Sequence, residues 1–423
     1  MSARTSSGPA VSRHGWAQAL VTVLGALAAM GAVAALGLWA AGATDLPGDA
    51  FPQVVAATVV TAVGGTVKLS GDAGGLAGTE GGLAVIPLSV TLTGALVIGW
   101  GFLRPPRHHA VAGAPELGGW AARIAALWLL ALLGLALAAR HTFEISLGDG
   151  PLGDLGDLFG FRPVVGFSAD VPLTVLIGLV WLAGVLLVSL MVSRGAPLPG
   201  GLLGFQASVR PAALAMVRLL LASVVIALVV ALFVAATRGH PVETFAVMLL
   251  GLPNVAWLAL TVGLGATWDG RVEGPFGLPM PQVLDEVLRT PDVSELNLGT
   301  LVEHDGGRWW WLLVADAVLL LTIAFVMAAL SPPSVRIWQH AVRMGVALAL
   351  TVLMICLMVR ISARIGLSVL GIGDLGEGLS GEVLLKPRLW SALGLALLWG
   401  LAAGFTGASV AHATRRRRGG TGH

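Results

Sequence analysis

Arg140 is followed fourteen residues later by Asp154-Leu155-Gly156-Asp157, and Arg360 is followed fourteen residues later by Asp374-Leu375-Gly376-Glu377. Both copies lie between long apolar segments, and a glycine comes directly before the first aspartate in each. The same spacing at an offset of 220 residues indicates that an ancestral unit was duplicated. We therefore predict two internal repeats, which lie in the same orientation if each half crosses the membrane an even number of times.

The composition is that of a membrane protein. Hydrophobic residues make up 56% of the 423 residues and charged residues only 11%, far from the balance of soluble domains. Uncharged apolar runs of about twenty residues match the thickness of the bilayer core at the rise of an α-helix. We predict an all-α integral membrane protein with about eight transmembrane helices. The predicted spans are residues 17–43, 83–103, 119–139, 171–193, 212–237, 309–331, 339–360 and 389–411.

Two further apolar stretches, residues 51–67 and 244–268, contain residues that interrupt helices. The candidate break residues are Gly64, Gly65, Gly251, Pro253 and Asn254. We expect both stretches to be re-entrant, which means that they enter the membrane and return to the same face, with these residues at the reversal. The alternative is a short buried helix or a helix on the membrane surface.

The distribution of charge decides between eight and ten crossings. With eight crossings, the segments on one face carry fourteen Lys and Arg residues and a single acidic residue, Glu116. The positive-inside rule assigns that face, with both termini, to the cytoplasm. Ten crossings would put Arg104, Arg107, Arg194 and Arg210 outside, which the same rule disfavours. We therefore expect a multi-pass protein of the cell membrane.

These patterns divide the chain into five parts. They are an N-terminal cytoplasmic tail (1–16), a first membrane repeat (17–193), a cytoplasmic linker (194–211), a second membrane repeat (212–411) and a basic cytoplasmic tail (412–423). The tail contains Arg415–Arg418, which we expect to lie against anionic lipid. Residues 140–170 alternate briefly between apolar and polar, which predicts a short strand or hairpin. Gly400 and Gly404 predict close helix packing, either within the protein or to a partner.

Several strings also resemble a known family. They are Gly37-Leu38-Trp39-Ala40-Ala41-Gly42, Leu46-Pro47-Gly48-Asp49-Ala50-Phe51-Pro52, Val63-Gly64-Gly65 and Pro87-Leu88-Ser89-Val90-Thr91-Leu92. They resemble the actinobacterial membrane family called streptophobe, over a range from about Trp16 to the end of the last span. The resemblance implies a cytoplasmic-membrane location in a high-GC Gram-positive lineage. It implies no activity and assigns no role to any residue.

Asp316 is the one acidic residue well inside a predicted span. An intramembrane carboxylate is costly, so it suggests either a solute or proton site or a structural ion pair. Arg360 ends the next span at the same level, so we expect an Asp316–Arg360 ion pair. The corresponding position in the first half is Ser89, which forms a polar stripe with Thr91. These hydroxyl groups either line a cavity or bond to neighbouring backbone.

Known catalytic motifs are missing from the sequence. It has no P-loop, no His-Glu-x-x-His zinc motif and no Gly-x-Ser-x-Gly elbow, and its one cysteine cannot form a disulfide framework. We predict a non-enzymatic protein without cofactor or metal, acting in envelope assembly, in division or as a scaffold. The first alternative is a permease or channel-like carrier for a small or lipid-like solute, and the second is a membrane enzyme that acts on lipid-linked substrates. The expected partners are membrane lipids and a membrane protein or second copy, and not nucleic acid.

Overall fold

The computed structural model describes most of the chain in ten ranges. These are residues 14–46, 50–72, 77–108, 114–144, 164–193, 200–237, 241–272, 294–332, 334–369 and 381–420. The helices within them are α1 (His14–Ala40), α2 (Phe51–Ala62), α3 (Leu88–His108), α4 (Ala114–Ala138), α5 (Val171–Val192), α6 (Gly200–Thr237), α7 (Pro241–Gly263), α8 (Leu298–Asp305), α9 (Trp310–Leu330), α10 (Ile337–Val359) and α11 (Leu389–Gly420). The repeated Asp154–Asp157 and Asp374–Glu377 phrases lie outside the described residues.

Eight of the described helices are long and apolar enough to cross a membrane. They are α1, α4, α5, α6, α7, α9, α10 and α11. The prediction of an all-α integral membrane protein with about eight such helices is confirmed. The predicted and observed sets differ by one helix. α7 is long and apolar enough to cross a membrane, while the apolar part of α3, Leu88–Arg104, is shorter.

Strands follow α2, α4, α7 and α10. They are β1 (Val67–Asp72), β2 (Ala77–Ala84), β3 (Arg140–Glu144), β4 (Val164–Ala169), β5 (Trp268–Val272), β6 (Ser294–Leu296), β7 (Ile361–Val369) and β8 (Gly381–Pro387). All of them belong to one sheet in the order β3-β4-β1-β2-β7-β8-β5-β6, and every neighbouring pair is antiparallel. The predicted hairpin in residues 140–170 is the β3–β4 pair. The rest of the sheet was not predicted.

The two halves of the chain meet within this sheet. β2 pairs with β7 from Ala77↔Val369 to Ala84↔Ser362. The described elements of the two halves follow the same order. Each half begins with a long helix, a second helix and two strands, and continues with two helices, two strands and a last helix. The extra helix α8 follows β6 in the second half. The common ancestry of the halves stays a prediction.

Each half has its own apolar core, and the cores interlock. Met30, Phe102 and Trp128 are fully buried in the first core, and most of the second core comes from α6 to α11. Leu88 of the first half is nevertheless buried in the second core, while Leu250 of the second half packs on the first. The halves therefore do not fold as separate domains.

Two of the predicted boundaries fall inside helices. α6 begins at Gly200 and continues through Pro211, so much of the predicted linker 194–211 is helical. α11 continues to Gly420, so the predicted tail extends the last helix. Arg415 in this extension donates from Nη2 to the carbonyl oxygens of Ala328, Ala329 and Ser331, at 3.1, 2.8 and 3.1 Å. It therefore caps the end of α9, whose last carbonyls have no partner within the helix.

Small residues bring α10 and α11 into backbone contact. A Cβ atom built on Gly400 would lie 2.6 Å from the Cα of Gly345, and one built on Gly404 would lie 2.8 Å from the Cα of Ala341. These approaches are too close for any side chain. The small-residue pair therefore serves packing within the protein.

We expect Gly400→Ala to destabilise the protein by about 1–3 kcal/mol, because its methyl group would force α10 and α11 apart. Gly394 lies on the same helix with no atom within 4 Å of its Cβ position. Gly394→Ala is therefore the matched control, and it should be neutral or slightly stabilising. Thermal unfolding of the purified protein in detergent measures both. Equal effects of the two changes would contradict the close packing.

Candidate functional site

α2 and α7 are each followed by a turn that contains a glycine with positive φ. In the first half α2 ends at Ala62 and Gly64 has φ +88°, so the predicted break is present there. In the second half α7 runs without interruption through Gly251, Pro253 and Asn254. It ends at Gly263, and Gly265 has φ +93°. The prediction of a break at residues 251–254 was wrong.

Pro253 is tolerated inside α7 because its cost is local. Proline removes one N–H from the helix and leaves the carbonyl four residues earlier without its usual donor. α7 packs along this stretch against α1, α3 and α6, and such packing outweighs a single lost hydrogen bond. A sequence signal for the true reversal existed, since Pro52 precedes Gly64 by twelve residues and Pro253 precedes Gly265 by the same number.

Asn254 links the two halves instead of breaking α7. Its Nδ2 donates to the carbonyl oxygen of Ile86 at 2.8 Å, and its Oδ1 accepts from the N–H of Leu88 at 3.0 Å. Leu88 begins α3, and the first N–H groups of a helix have no acceptor within it. Asn254 therefore supplies a cap to a helix of the other half.

The predicted polar stripe is bonded to backbone. Ser89 Oγ donates to the carbonyl oxygen of Met248 at 2.9 Å, which is a second link between α3 and α7. Thr91 Oγ1 donates to the carbonyl oxygen of Ala62 at 2.6 Å and lies 3.3 Å from that of Pro87. Of the two interpretations of these hydroxyl groups, the structure supports bonding to neighbouring helices.

Asp316 lies in α9 with 7% of its surface exposed, and its Oδ2 atom has no hydrogen-bond partner. The end of α7 covers it. A Cβ atom on Gly263 would overlap the Asp316 carboxylate and would come within 2.9 Å of Leu312. The absence of a side chain at residue 263 therefore makes room for the carboxylate.

The expected Asp316–Arg360 ion pair is not formed. Arg360 is the exposed residue between α10 and β7, and it makes no ion pair with Asp316. The Asp316 carboxylate instead lies against Gly263, at the C-terminal end of α7. A helix C-terminus carries a partial negative charge, so it does not compensate a carboxylate. Asp316 is a buried polar group without a compensating cation, which is costly in an apolar surrounding.

The interior beside this turn is closed. A cavity lies between the α7 turn, α10 and α11, and it has no room for a water molecule. Its lining residues are Thr261, Leu264, Ala266, Val352, Ala392, Leu395 and Ala396. Within the described ranges no three His, Cys, Asp or Glu residues come together in a way that would hold a metal ion. Among the described residues, this site therefore offers one isolated carboxylate, that of Asp316.

Comparisons with known proteins add no assignment, since no family model, curated protein or solved structure matches the chain. The resemblance to streptophobe proteins stays a prediction. Any function must therefore be argued from the geometry.

Two glycine substitutions test where the chain reverses. Gly251→Ala should leave stability unchanged or raise it by up to about 1 kcal/mol, because alanine favours a continuous helix. Gly265→Ala should cost about 1–2 kcal/mol, because its φ of +93° is strained for any residue with a Cβ. Thermal melts in detergent compare the two variants with the parent protein. A larger loss of stability in Gly251→Ala than in Gly265→Ala would favour a break at residues 251–254.

A double-mutant cycle tests the contact between Gly263 and Asp316. Gly263→Ala should destabilise by about 1–3 kcal/mol, because the added methyl group overlaps the carboxylate. The same change made in an Asp316→Ala background should cost less, giving a coupling of about 0.5–3 kcal/mol. Additive effects would mean that the two residues are not in contact.

Proposed function

We propose that this protein is a non-enzymatic scaffold of the cell membrane that presents an eight-stranded sheet outside, with both termini in the cytoplasm. The observation that carries the proposal is the single sheet formed by the strands after α2, α4, α7 and α10. A carrier would need a polar path through the membrane, whereas the described part of the chain offers a sheet at the ends of its helices.

The sheet also supports the membrane topology. Strands of one sheet lie on one side of the membrane, so the helices between successive strand pairs must cross an even number of times. The pair α3 and α4 and the pair α9 and α10 satisfy this condition. Three apolar helices, α5, α6 and α7, separate β4 from β5, so only two of them complete a crossing. We infer that α7 does not, because it turns back at Gly265 into β5.

The positions of exposed tryptophans support the proposed placement of the helices in the bilayer. Trp16 and Trp39 lie at opposite ends of α1, 55% and 60% exposed. At 1.5 Å per residue they are about 34 Å apart, close to the thickness of a bilayer core. Indole rings favour the two interfaces. Near the proposed cytoplasmic end of α3, the Arg104 guanidinium lies 3.6 Å from the ring centre of Trp100, as expected for a cation at the headgroup level.

Matching ion pairs support the duplication. In the first half Lys68 of β1 pairs with Asp170, which precedes α5, at 2.9 Å. In the second half Asp269 of β5 pairs with Arg388, which precedes α11, also at 2.9 Å. The two pairs occupy equivalent positions, with acid and base exchanged. Each anchors the outer end of a helix to the edge of a strand in the sheet.

The Lys68–Asp170 pair is also linked to pH. Hydrogen bonds from the Lys68 ammonium and the Leu173 N–H hold the pKa of Asp170 below its usual range. A lowered pKa stabilises the folded state at neutral pH, and this contribution is lost as the pH falls through the lowered value.

The tight packing around the α7 turn and the start of α3 weighs against the carrier. The hydroxyl groups of the polar stripe already have carbonyl partners, and the cavity beside the α7 turn excludes water. Asp316 alone makes neither a relay nor a binding site, because ion-coupled transport needs several such groups along a path. We therefore rank the scaffold above the carrier.

Cysteine accessibility tests the topology. In a Cys356→Ala background, a cysteine at Lys68 or at Lys386 should react with a membrane-impermeant maleimide on intact cells. A cysteine at Arg417 should react only after permeabilisation. All three positions are exposed. Labelling of positions 68 and 386 from opposite sides would contradict the shared outer sheet.

Photo-crosslinking and flux measurements test the function. A photoreactive amino acid at Ser70 or Lys386, both exposed on the sheet, should form adducts with envelope proteins in cells. The same amino acid at Arg417 is the control for the opposite face. The purified protein in liposomes should not raise the permeability to potassium, protons or a small dye. A specific flux without sheet adducts would favour the carrier.

A further inference from the structure

β3 forms one edge of the described sheet. It pairs with β4 on one side, from Arg140↔Ser168 to Glu144↔Val164, and within the described ranges no strand lies on its other side. The backbone N–H and C=O groups along such an edge can pair with a further strand, and natural proteins protect exposed edges for this reason. The edge of β3 therefore offers a place for one further strand.

The sequence of β3 is complementary to itself. It reads Arg140, His141, Thr142, Phe143 and Glu144, with a base at one end and an acid at the other. When a second β3 lies antiparallel and Thr142 faces its own copy, Arg140 of each copy lies opposite Glu144 of the other. Opposite charges directly across from each other stabilise a strand pair, whereas like charges destabilise it. Charge on an edge strand usually resists pairing, but here it favours a second copy of the same strand.

The remaining side chains of β3 belong to an aromatic row that begins on β4. His141 and Phe143 pack edge to face with their ring centres 4.8 Å apart, and the ring of Phe143 lies 6.2 Å from that of Phe167 on β4. In the same antiparallel pair, Phe143 of each copy lies opposite His141 of the other. The row would then extend across the contact, and aromatic cross-strand pairs stabilise a sheet.

This pairing suits two proteins in one membrane. Arg140 and Thr142 are exposed on one face of β3, whereas His141 and Phe143 are half-buried on the other. Residues directly opposite in an antiparallel pair share a face, so the exposed faces of both copies lie on the same side. Two copies inserted with the same topology meet this condition without inversion of either. Confinement to one plane also reduces the translational and rotational freedom that association must remove.

We propose that a second copy of this chain pairs with β3, in an antiparallel register centred on Thr142, so that the two sheets join into one. The partner is this chain and not another protein, because the complementarity is between β3 and itself. The homodimer goes beyond the scaffold role and does not depend on it. Its failure would leave the adducts expected at the sheet surface unaffected, so the two proposals are tested separately.

Disulfide crosslinking tests the contact. Cys356 is the only cysteine of the chain, so a Cys356→Ala background is free of cysteine. In that background Thr142→Cys should form a disulfide between two copies in oxidised membranes, because directly opposite strand residues lie within the Cα separation that a disulfide spans. Dimers and monomers are separated on a non-reducing gel.

Ser70→Cys is the matched control for this crosslink. Ser70 is also exposed, but its strand β1 is paired on both sides, with β2 and with β4. The Ser70→Cys protein should therefore remain a monomer. Equal crosslinking at residues 70 and 142 would mean random collision in the membrane and would overturn the contact. Absence of the crosslink at residue 142 would overturn it as well.

Charge reversal tests the register. With the cysteine at residue 142 retained, Arg140→Glu and Glu144→Arg should each lower the crosslinked fraction by about tenfold, because both cross-strand pairs become like-charged. A protein with both changes is complementary again and should regain the crosslink. Coexpression of the two single variants with different tags should give the mixed dimer, which a loss of fold in either variant could not produce. Failure of the mixed dimer to form would overturn the register.

Discussion

The backbone hydrogen bonds between β2 and β7 determine where most other elements of the protein lie. A strand pair is extended and rigid compared with a loop, and this pair joins the two halves along eight residues of each strand. Because β1, β4 and β3 add on one side and β8, β5 and β6 on the other, every strand pair becomes part of one surface. The ends of α2, α4, α7 and α10 must then meet at this surface. An open sheet edge is unsuited to the bilayer core, since its N–H and C=O groups would have no partners there.

α7 connects the sheet to the helices of the first half. The C-terminal end of α7 leads through the Gly265 turn into the sheet. Earlier in the same helix, Asn254 and the carbonyl oxygen of Met248 bind residues 86–89 at the start of α3. Residues 248 and 254 are about 9 Å apart along α7, and both bind the short segment 86–89 at the start of α3. Its polar contacts are few but each satisfies a backbone or hydroxyl group that would otherwise be buried without a partner.

The sequence predicted the class of protein and most helices, because apolar runs of bilayer length are a strong and local signal. The sheet was largely missed. β1 and β2 are rich in glycine and polar residues, and their partners β4 and β7 are far away along the chain, so neither composition nor periodicity points to the pairing. The Gly64 turn was predicted, whereas Pro253 was misread because packing along α7 overrides its local cost. The prediction of an Asp316–Arg360 ion pair was wrong for a related reason. Two residues at the same depth in the membrane need not face each other, and the sequence does not show which neighbouring helix covers Asp316.

Glycine at the contact of α10 and α11 has two consequences that the sequence pattern alone does not reveal. The first is stability, since Gly400 and Gly404 allow the backbones to touch where hydrophobic driving force between helices is weak. The second is electrostatic. The same helix α11 carries Arg415, whose guanidinium donates to the carbonyl oxygens at the end of α9, where a cation is favoured by the helix dipole. Among the described residues, the Lys68–Asp170 and Asp269–Arg388 ion pairs lie beside the sheet and Arg415 lies at the far end of α9, while Asp316 is buried within α9.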